Sequence, residues 1–188
     1  MEQTETYKNH TIEIKYQNDP ESPREWDNIC IVHNCHSRYS LGDKNYNNRE
    51  DIDEAMHEAK KNGDIIVPLY LYDHSGITIS LTPFSCPWDS GKVGVVIIPR
   101  KKMIEEFGKK IFTKKLKEKA LEIAKGEVET LDSYIKGEVY GYIIDEDGGC
   151  WGYYSIEDAQ NEAKAVIDYL EKTKIELENR NKTLNPVN

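Results

Sequence analysis

Apolar residues recur at every second position in several short stretches of the chain, which is the pattern of β-strands that bury one face. In the stretch TIEIKY, which begins at Thr11, Ile12 and Ile14 would face a core. This alternation, or a short run rich in β-branched and aromatic residues, predicts strands at 11–16, 26–33, 65–72, 77–81, 93–98, 138–145 and 150–154. The acidic turn between the last two predicts a β-hairpin.

Three other segments carry apolar residues three and four positions apart, which is typical of amphipathic helices. They predict helices near 51–62, 101–135 and 155–180, the second of them in two parts around Gly108. Ser155, with Asp158 three positions later, forms a capping-box-like start for the last helix. We expect the middle and last helices to cover one face of the sheet, because their apolar stripes need burial.

These elements predict an α+β fold in a single domain over 1–188. The domain would contain a mostly antiparallel sheet of about five to seven strands, with a long middle helix and a C-terminal helix packed on it. The last helix would close the domain, and a polar tail would follow at 181–188. With 188 residues, the chain is long enough to bury a substantial core.

Charge is unevenly distributed along the chain. The 34 acidic and 25 basic residues give a net charge of −9. Residues 100–125 carry a net +6, whereas residues 1–99 carry −7 and residues 126–188 carry −8. Such an acidic protein does not suit general nucleic-acid binding, because phosphate contacts need an excess of Lys and Arg. It could instead dock on the basic nucleic-acid channel of another protein.

Membrane insertion and secretion are not indicated. No apolar run reaches the roughly 18 residues that a bilayer requires, and the polar stretch Met1–Asn9 lacks the apolar segment of a signal peptide. Four cysteines without a secretion signal are typical of thiols in a reducing compartment. We therefore expect a protein of a reducing cytosol with no membrane partner.

Four potential metal ligands lie close together in the sequence as C-x2-H-x-C-H: Cys30, His33, Cys35 and His36. Cysteine and histidine are the ligands that zinc prefers. However, Cys30 and His33 would point to opposite faces if they lie on one strand, and the spacing fits no closed zinc module. A buried thiol with histidines at a strand end is the favoured interpretation, and we expect neither a resident metal nor a cofactor.

Two polar loops interrupt the apolar strands of the middle region. One is Asp73-His74-Ser75-Gly76, and the other runs from Cys86 through Trp88, Asp89 and Ser90 to Gly91. If strands 65–72 and 93–98 pair antiparallel, their ends bring these loops together. The residues expected in this one neighbourhood are Asp73, His74, Ser75, Cys86, Trp88, Asp89 and Ser90.

The chemistry of this neighbourhood has three interpretations. Cys86, His74 and Asp89 could act as nucleophile, base and orienting carboxylate. Asp73, His74 and Asp89 could instead bind a divalent metal. The favoured interpretation is that the glycines form turns while the aspartates cap backbone amides. A catalytic triad depends on mutual geometry that the sequence does not contain.

Two charged segments are candidate contact surfaces. The basic one could touch phosphates through lysines around a helix, but it offers few aromatic residues for stacking on bases. Its candidate nucleic-acid contacts are Lys101, Lys102, Lys109, Lys110, Lys114 and Lys115. The acidic one is the hairpin tip at Asp145, Glu146 and Asp147, which lacks the twelve-residue pattern of a calcium loop but could engage a basic partner.

The segment LYLYDHSGITISLTPFSCPWDSGKVGVVIIPR, followed by a long helix and GEVYGYIID, resembles a family of proteins carried by phages and other mobile elements of Gram-positive bacteria. The resemblance runs from about Ile65 to Asp145, and YDHSG with PFSCPWDSG is its specific part. It implies an anti-defence role, since related proteins inhibit type II CRISPR effectors of the Cas9 class. The family has no established catalytic residues that could be carried over to this chain.

The resemblance, together with the acidic charge, therefore implies a non-enzymatic anti-CRISPR protein that inhibits a Cas9-type nuclease in the cytoplasm of a bacterial host. The expected binding residues are Asp73, His74, Ser75, Trp88, Asp89, Ser90, Asp145, Glu146 and Asp147. The alternative is a small-molecule or nucleotide-processing enzyme that uses Cys86, His74 and Asp89.

Overall fold

The computed structural model describes residues 3–184, with side chains as far as Arg180. The strands of this part of the chain are β1 (Gln3–Tyr7), β2 (His10–Tyr16), β3 (Ile31–Asn34), β4 (Lys44–Asn45), β5 (Ile65–Asp73), β6 (Ile77–Ser80), β7 (Ser90–Ile98), β8 (Tyr140–Ile144) and β9 (Gly148–Tyr153). The helices are α1 (Arg49–Asn62), α2 (Arg100–Glu106), α3 (Lys114–Ile135) and α4 (Ile156–Leu184), with a 3₁₀ turn at Pro23–Glu25.

The chain divides into two compact units. The terminal unit comprises residues 1–20 and 137–188, and the central unit comprises residues 21–136. Each unit has its own sheet and its own hydrophobic core. The single domain predicted for 1–188 stays a prediction, because this division does not establish whether either unit folds alone.

The terminal unit contains an antiparallel sheet in the order β1-β2-β8-β9. Helix α4 packs on one face, where Ala159 and Ala163 are completely buried and allow close approach of helix and sheet. The remaining core residues are Ile12, Ile14, Tyr140, Tyr142, Ile144 and Ile167. The alternation predicted for 11–16 is confirmed by the burial of Ile12 and Ile14.

Two tight turns close the hairpins of the terminal unit, and both use non-glycine residues with left-handed backbone. Lys8 and Asn9, between β1 and β2, have φ values of 48° and 66°. Asp145 and Glu146, between β8 and β9, have φ values of 51° and 64°. Positive φ at both central residues is the signature of a type I′ turn, whose twist matches that of the flanking strands.

The central unit contains a sheet in the order β4-β3-β7-β5-β6, in which only the short β3–β4 pairing is parallel. Residues 94–98 of strand β7 are buried on both faces of the sheet. Val96 and Ile98 pack in the core that includes α2 and α3, whereas Val95 and Ile97 pack against α1. Because alternate residues of a strand point to opposite faces, the apolar run of β7 serves two cores.

The predicted α+β class is confirmed, with mostly antiparallel strands and long middle and C-terminal helices packed on them. Two details of the expected architecture were wrong. The strands form two sheets, of four and five strands, instead of one sheet. Consequently α3 and α4 do not share a sheet face, because each packs within its own unit. The tail predicted for 181–188 begins inside α4, and residues 185–188 lie outside the described residues.

The strand predicted for 26–33 was too long, because β3 begins only at Ile31. Before that point the Glu127 carboxylate, on α3, accepts hydrogen bonds from the backbone N–H groups of Ile29 (2.7 Å) and Cys30 (3.2 Å). A side chain therefore provides the acceptors that a neighbouring strand would otherwise provide. Strand β1 was not predicted, since Tyr7 is its only apolar residue.

The helix ends agree closely with the sequence signals. Asn48 caps α1 by accepting from the N–H of Asp51 at 3.0 Å, and Gly63 ends the helix with a φ of 75°. The predicted interruption of the middle helix at Gly108 is confirmed, because α2 ends at Glu106 and α3 begins at Lys114 after the Thr113 cap.

Close packing of β7 against β3 yields a stability prediction. A Cβ at Gly94 would lie 2.0 Å from the His33 carbonyl oxygen, so the Gly94→Ala variant must displace backbone. We expect this variant to lose about 2 to 3 kcal/mol of unfolding free energy, measured by urea denaturation. The control is Gly91→Ala in the same strand, where a Cβ meets nothing within 4 Å. Equal stability of the two variants would contradict the prediction.

Candidate functional site

Antiparallel pairing of β5 and β7 brings the two polar loops of the middle region together. Tyr72 is the register partner of Ser90, and the N–H of Asp73 donates to the Asp89 carbonyl oxygen at 2.8 Å. The predicted pairing is thus confirmed, and the loop 74–76 adjoins the loop 82–89 at one end of the sheet. This end of the sheet is the candidate site.

The Asp89 carboxylate lies at the centre of the candidate site. Its Oδ2 is 3.4 Å from His74 Nδ1 and accepts a hydrogen bond from Cys86 Sγ, also at 3.4 Å. Ser90 Oγ donates to the Cys86 carbonyl oxygen at 2.5 Å. The predicted clustering of His74, Cys86, Asp89 and Ser90 is therefore confirmed.

The order of these contacts differs from that of a nucleophilic triad. A nucleophile needs a base within hydrogen-bonding reach, and the base in turn needs an orienting group. Here the carboxylate separates the other two groups, because no hydrogen bond joins Cys86 to His74 among the described contacts. The three side chains brace two loops against each other. The expected capping of backbone amides by Asp73 and Asp89 is not what the structure shows, because among the described contacts both carboxylates bind side chains.

Trp88 and Ser75 take no part in this bracing. Ser75 occupies a turn position with a φ of 59°. Trp88 is 91% exposed, although tryptophan is normally a largely buried residue. A large aromatic side chain held in solvent, next to a hydrogen-bonded loop, is a candidate contact for another molecule.

Three residues of the loop after β3 join the candidate site. The sequence analysis had singled out only His36 among them, and as a potential metal ligand, not as part of this site. Arg38 forms an ion pair with Asp73, and Tyr39 Oη lies 3.4 Å from the same carboxylate. The His36 ring stacks on Tyr39 with centroids 4.9 Å apart. A surface depression of about 310 Å³ extends between His36, Arg38, Asp73 and Trp88. Strand β3 pairs with β7 as far as Asn34 and Gly94, and this pairing places the following loop at the candidate site.

The potential metal ligands of the C-x2-H-x-C-H group, two cysteines and two histidines, occupy separate environments. Cys30 is buried, and this burial together with Glu127 raises the pKa of its thiol to about 12. Burial lowers the pKa of His33, whose Nδ1 lies 3.0 Å from Tyr46 Oη. The described residues contain no group of three or more His, Cys, Asp or Glu side chains placed to hold a metal ion.

The candidate lysines differ in the partners that they contact. Lys102 is engaged internally, because its Nζ donates to Asp27 at 2.7 Å and to the Asn28 carbonyl at 2.6 Å. Lys101 and Lys114 pair with glutamates one helical turn away. The remaining three lysines are also exposed. Lys109 and Lys110 lie in the loop between α2 and α3, and Lys115 lies on α3.

The acidic hairpin tip in the terminal unit has one internally bound carboxylate and two that project outward. Asp145 lies 2.5 Å from His10 Nδ1 and accepts from the N–H of Thr11 at 2.8 Å. Glu146 and Asp147 are exposed, and neither has a side-chain hydrogen bond or ion pair within the described part of the chain. These two are therefore the members of the predicted set that can reach a partner.

The net charge is concentrated in the terminal unit. Its sequence ranges contain 15 acidic and 7 basic residues, a net of −8. The central unit has 19 acidic and 18 basic residues, a net of −1. Almost the whole excess of negative charge thus belongs to one small sheet and its helix.

No helix among residues 3–184 has the length and apolar character to cross a membrane.

The ion pair at His10 predicts a pH dependence of stability. Its hydrogen bond to Asp145, together with the Glu171 carboxylate 3.7 Å away, raises the pKa of His10 above 6.5 despite the opposing effect of burial. Stability from the charged ring is fully present below the ordinary pKa and is lost as pH rises through the raised one. We therefore expect the melting temperature of the wild type to fall as the pH rises above about 6.5 and through the raised pKa.

The His10→Asn variant should lose this decline, while His57→Asn, an exposed position on α1, should keep it. Thermal unfolding followed by circular dichroism at several pH values measures the difference. Parallel profiles for the wild type and His10→Asn would show that His10 does not contribute.

Comparison with known proteins provides no template for this chain. No protein-family model matches it, no curated protein matches it, and no solved structure matches it. Its function must therefore be argued from the charge, exposure and contacts described above.

Proposed function

We propose that this chain is a non-enzymatic anti-defence protein that inhibits a Cas9-type nuclease by occupying a basic surface that normally holds nucleic acid. The observation that carries the proposal is the net charge of −8 on the terminal unit. A Cas9-type effector holds its RNA–DNA duplex in a positively charged channel and would do so in the host cytoplasm. The terminal unit would compete with nucleic acid for that channel.

Charge of this size favours fast and selective capture. Opposite potentials on two proteins steer them together and raise the association rate, an effect that salt screens. Exposed Glu146 and Asp147, at the tip of a hairpin, present two of these charges on a narrow projection. A projection can enter a channel shaped for a nucleic-acid backbone.

The central unit supplies the second line of support. Its YDHSG and PFSCPWDSG segments carry the resemblance to proteins of phages and mobile elements. In the same place lie exposed Trp88 and Arg38, and Trp and Arg are enriched among the residues that dominate binding energy at protein interfaces. This site would add a short-range contact to the long-range attraction of the terminal unit.

The deciding measurement is DNA cleavage by purified Cas9 orthologues with and without this protein. We expect inhibition that approaches completion at equimolar concentrations, since a binding protein does not turn over. Inhibition should weaken between about 50 mM and 200 mM salt. If no orthologue is inhibited, the proposal is wrong.

Charge reversal at the hairpin tip tests the surface itself. The double variant Glu146→Lys/Asp147→Lys should raise the concentration needed for inhibition at least tenfold. The matched control is Glu54→Lys/Glu122→Lys, two exposed glutamates of the central unit, which changes the net charge equally. Equal losses in both variants would show that total charge matters and the hairpin does not.

The enzymatic alternative retains one observation in its favour, which is that Cys86, His74 and Asp89 do lie together. The Cys86→Ser variant separates the two proposals. A serine hydroxyl can still donate to Asp89, so we expect a stability change of about 1 kcal/mol or less and unchanged inhibition. Loss of activity without loss of stability, or inhibition at well below equimolar amounts of wild type, would favour the enzyme.

A further inference from the structure

The terminal unit has a groove between helix α4 and strand β9. Its volume is about 460 Å³. Val166 and Leu170 of α4 form one wall, and Tyr142 and Ile144 of β8 contribute its apolar floor. Leu170 is 50% exposed, so this wall of the groove is accessible to a ligand.

The groove exists because β9 carries glycine where a side chain would fill it. Gly148 is the register partner of Ile144, so a side chain at this position would point to the same face as Ile144. A Cβ added at Gly148 meets nothing within 4 Å. The floor of the groove is thus open because residue 148 is a glycine, although the space at this position would accept a larger residue.

Strand β9 is also the end of its sheet. Within the described residues it pairs only with β8, and residues 148–152 are all exposed. The backbone groups on its outer side form a ready template for another strand. The strand contains neither proline nor lysine, the residues that commonly protect such edges.

The rim of the groove is acidic. Asp147 lines it, and its side chain has no hydrogen-bond or ion-pair partner among residues 3–180, whereas Asp145 is paired with His10. The unit around it carries the net charge of −8. A free strand edge, an apolar slot and a negative rim together suit a ligand that is extended, partly apolar and positively charged.

We infer that this groove receives an extended segment of a partner protein, rich in Lys and Arg, which pairs with β9 as an additional strand. This inference rests on the proposed function and specifies how the partner is held. Alternate side chains of the segment would enter the slot beside Val166 and Leu170. The basic ones would point to the other face of the sheet, where the net charge of −8 on the unit attracts them. A helical ligand would leave the β9 backbone groups unpaired, so the extended form is the one that the site selects.

The direct test is fluorescence anisotropy with three labelled synthetic peptides of about ten residues. One alternates Val and Arg, the second alternates Val and Glu, and the third has the charge of the first in a helix-forming Ala-rich sequence. We expect binding of the first peptide only. Failure of the Val–Arg peptide to bind at submillimolar concentration, or tighter binding of the helical peptide, would overturn the inference.

Two variants of the groove test whether the peptide binds there. Gly148→Leu fills the slot and should weaken binding at least tenfold, while Gly126→Leu, another position where a Cβ meets nothing within 4 Å, should leave it unchanged. Leu170→Ala removes part of the wall at an exposed position and should weaken binding severalfold without disturbing the fold. Unchanged binding in both groove variants would overturn the inference.

The same variants in the Cas9 cleavage assay distinguish this inference from the proposed function. If wild type and Gly148→Leu inhibit equally, the inhibitor proposal stands and the groove is not the docking site. If wild type does not inhibit but the Val–Arg peptide binds in a Gly148-dependent manner, the groove is a peptide site of a protein with another function. Loss of both peptide binding and inhibition in Gly148→Leu supports the two together.

Discussion

The central unit depends on the ion pairs and the hydrogen bond that the buried guanidinium of Arg24 forms. It lies 2.8 Å from Asp43 and 3.1 Å from Glu127, and it donates to the Cys30 carbonyl at 2.7 Å. Burial opposes the charged form, but the hydrogen bonds with both carboxylates outweigh it and raise the pKa of Arg24. Removing one partner from such a cluster leaves a buried charge without compensation, which typically costs about 3 to 5 kcal/mol.

This cluster also determines where the candidate site can form. The Asp43 carboxylate accepts from the N–H of Val32 at 2.6 Å, and Glu127 accepts from the residues just before β3. These contacts fix the start of β3, and its pairing with β7 then carries the following loop to the end of the sheet. Arg38 reaches Asp73 only because of that path. A charged residue near the beginning of the unit thereby positions a surface formed by residues far from it in sequence.

Sequence patterns predicted those parts of the fold that depend on local periodicity. Strands with alternating burial, such as β2, and helices with clear caps, such as α1, were found at nearly their observed bounds. The edge strand β1 was missed, because a strand with few apolar residues gives no periodic signal. The division into two sheets depends on which strands pair across long separations, which no local pattern contains.

The candidate site was predictable to the same extent. Two loops that flank one antiparallel pair must meet, so the approach of His74 to Asp89 followed from the strand assignment. The order of contacts, with Asp89 between Cys86 and His74, depends on side-chain rotamers and could not be foreseen.

The two hairpin turns of the terminal unit contain residues at positive φ. Lys8 and Glu146, which are neither Gly, Asn nor Asp, each store about 1 kcal/mol of strain at positive φ. The Lys8–Asp168 and His10–Asp145 ion pairs hold the two turns in place. Strain held by exposed ion pairs is released when salt screens them, so this end of the sheet is where hydrogen exchange through local opening should begin.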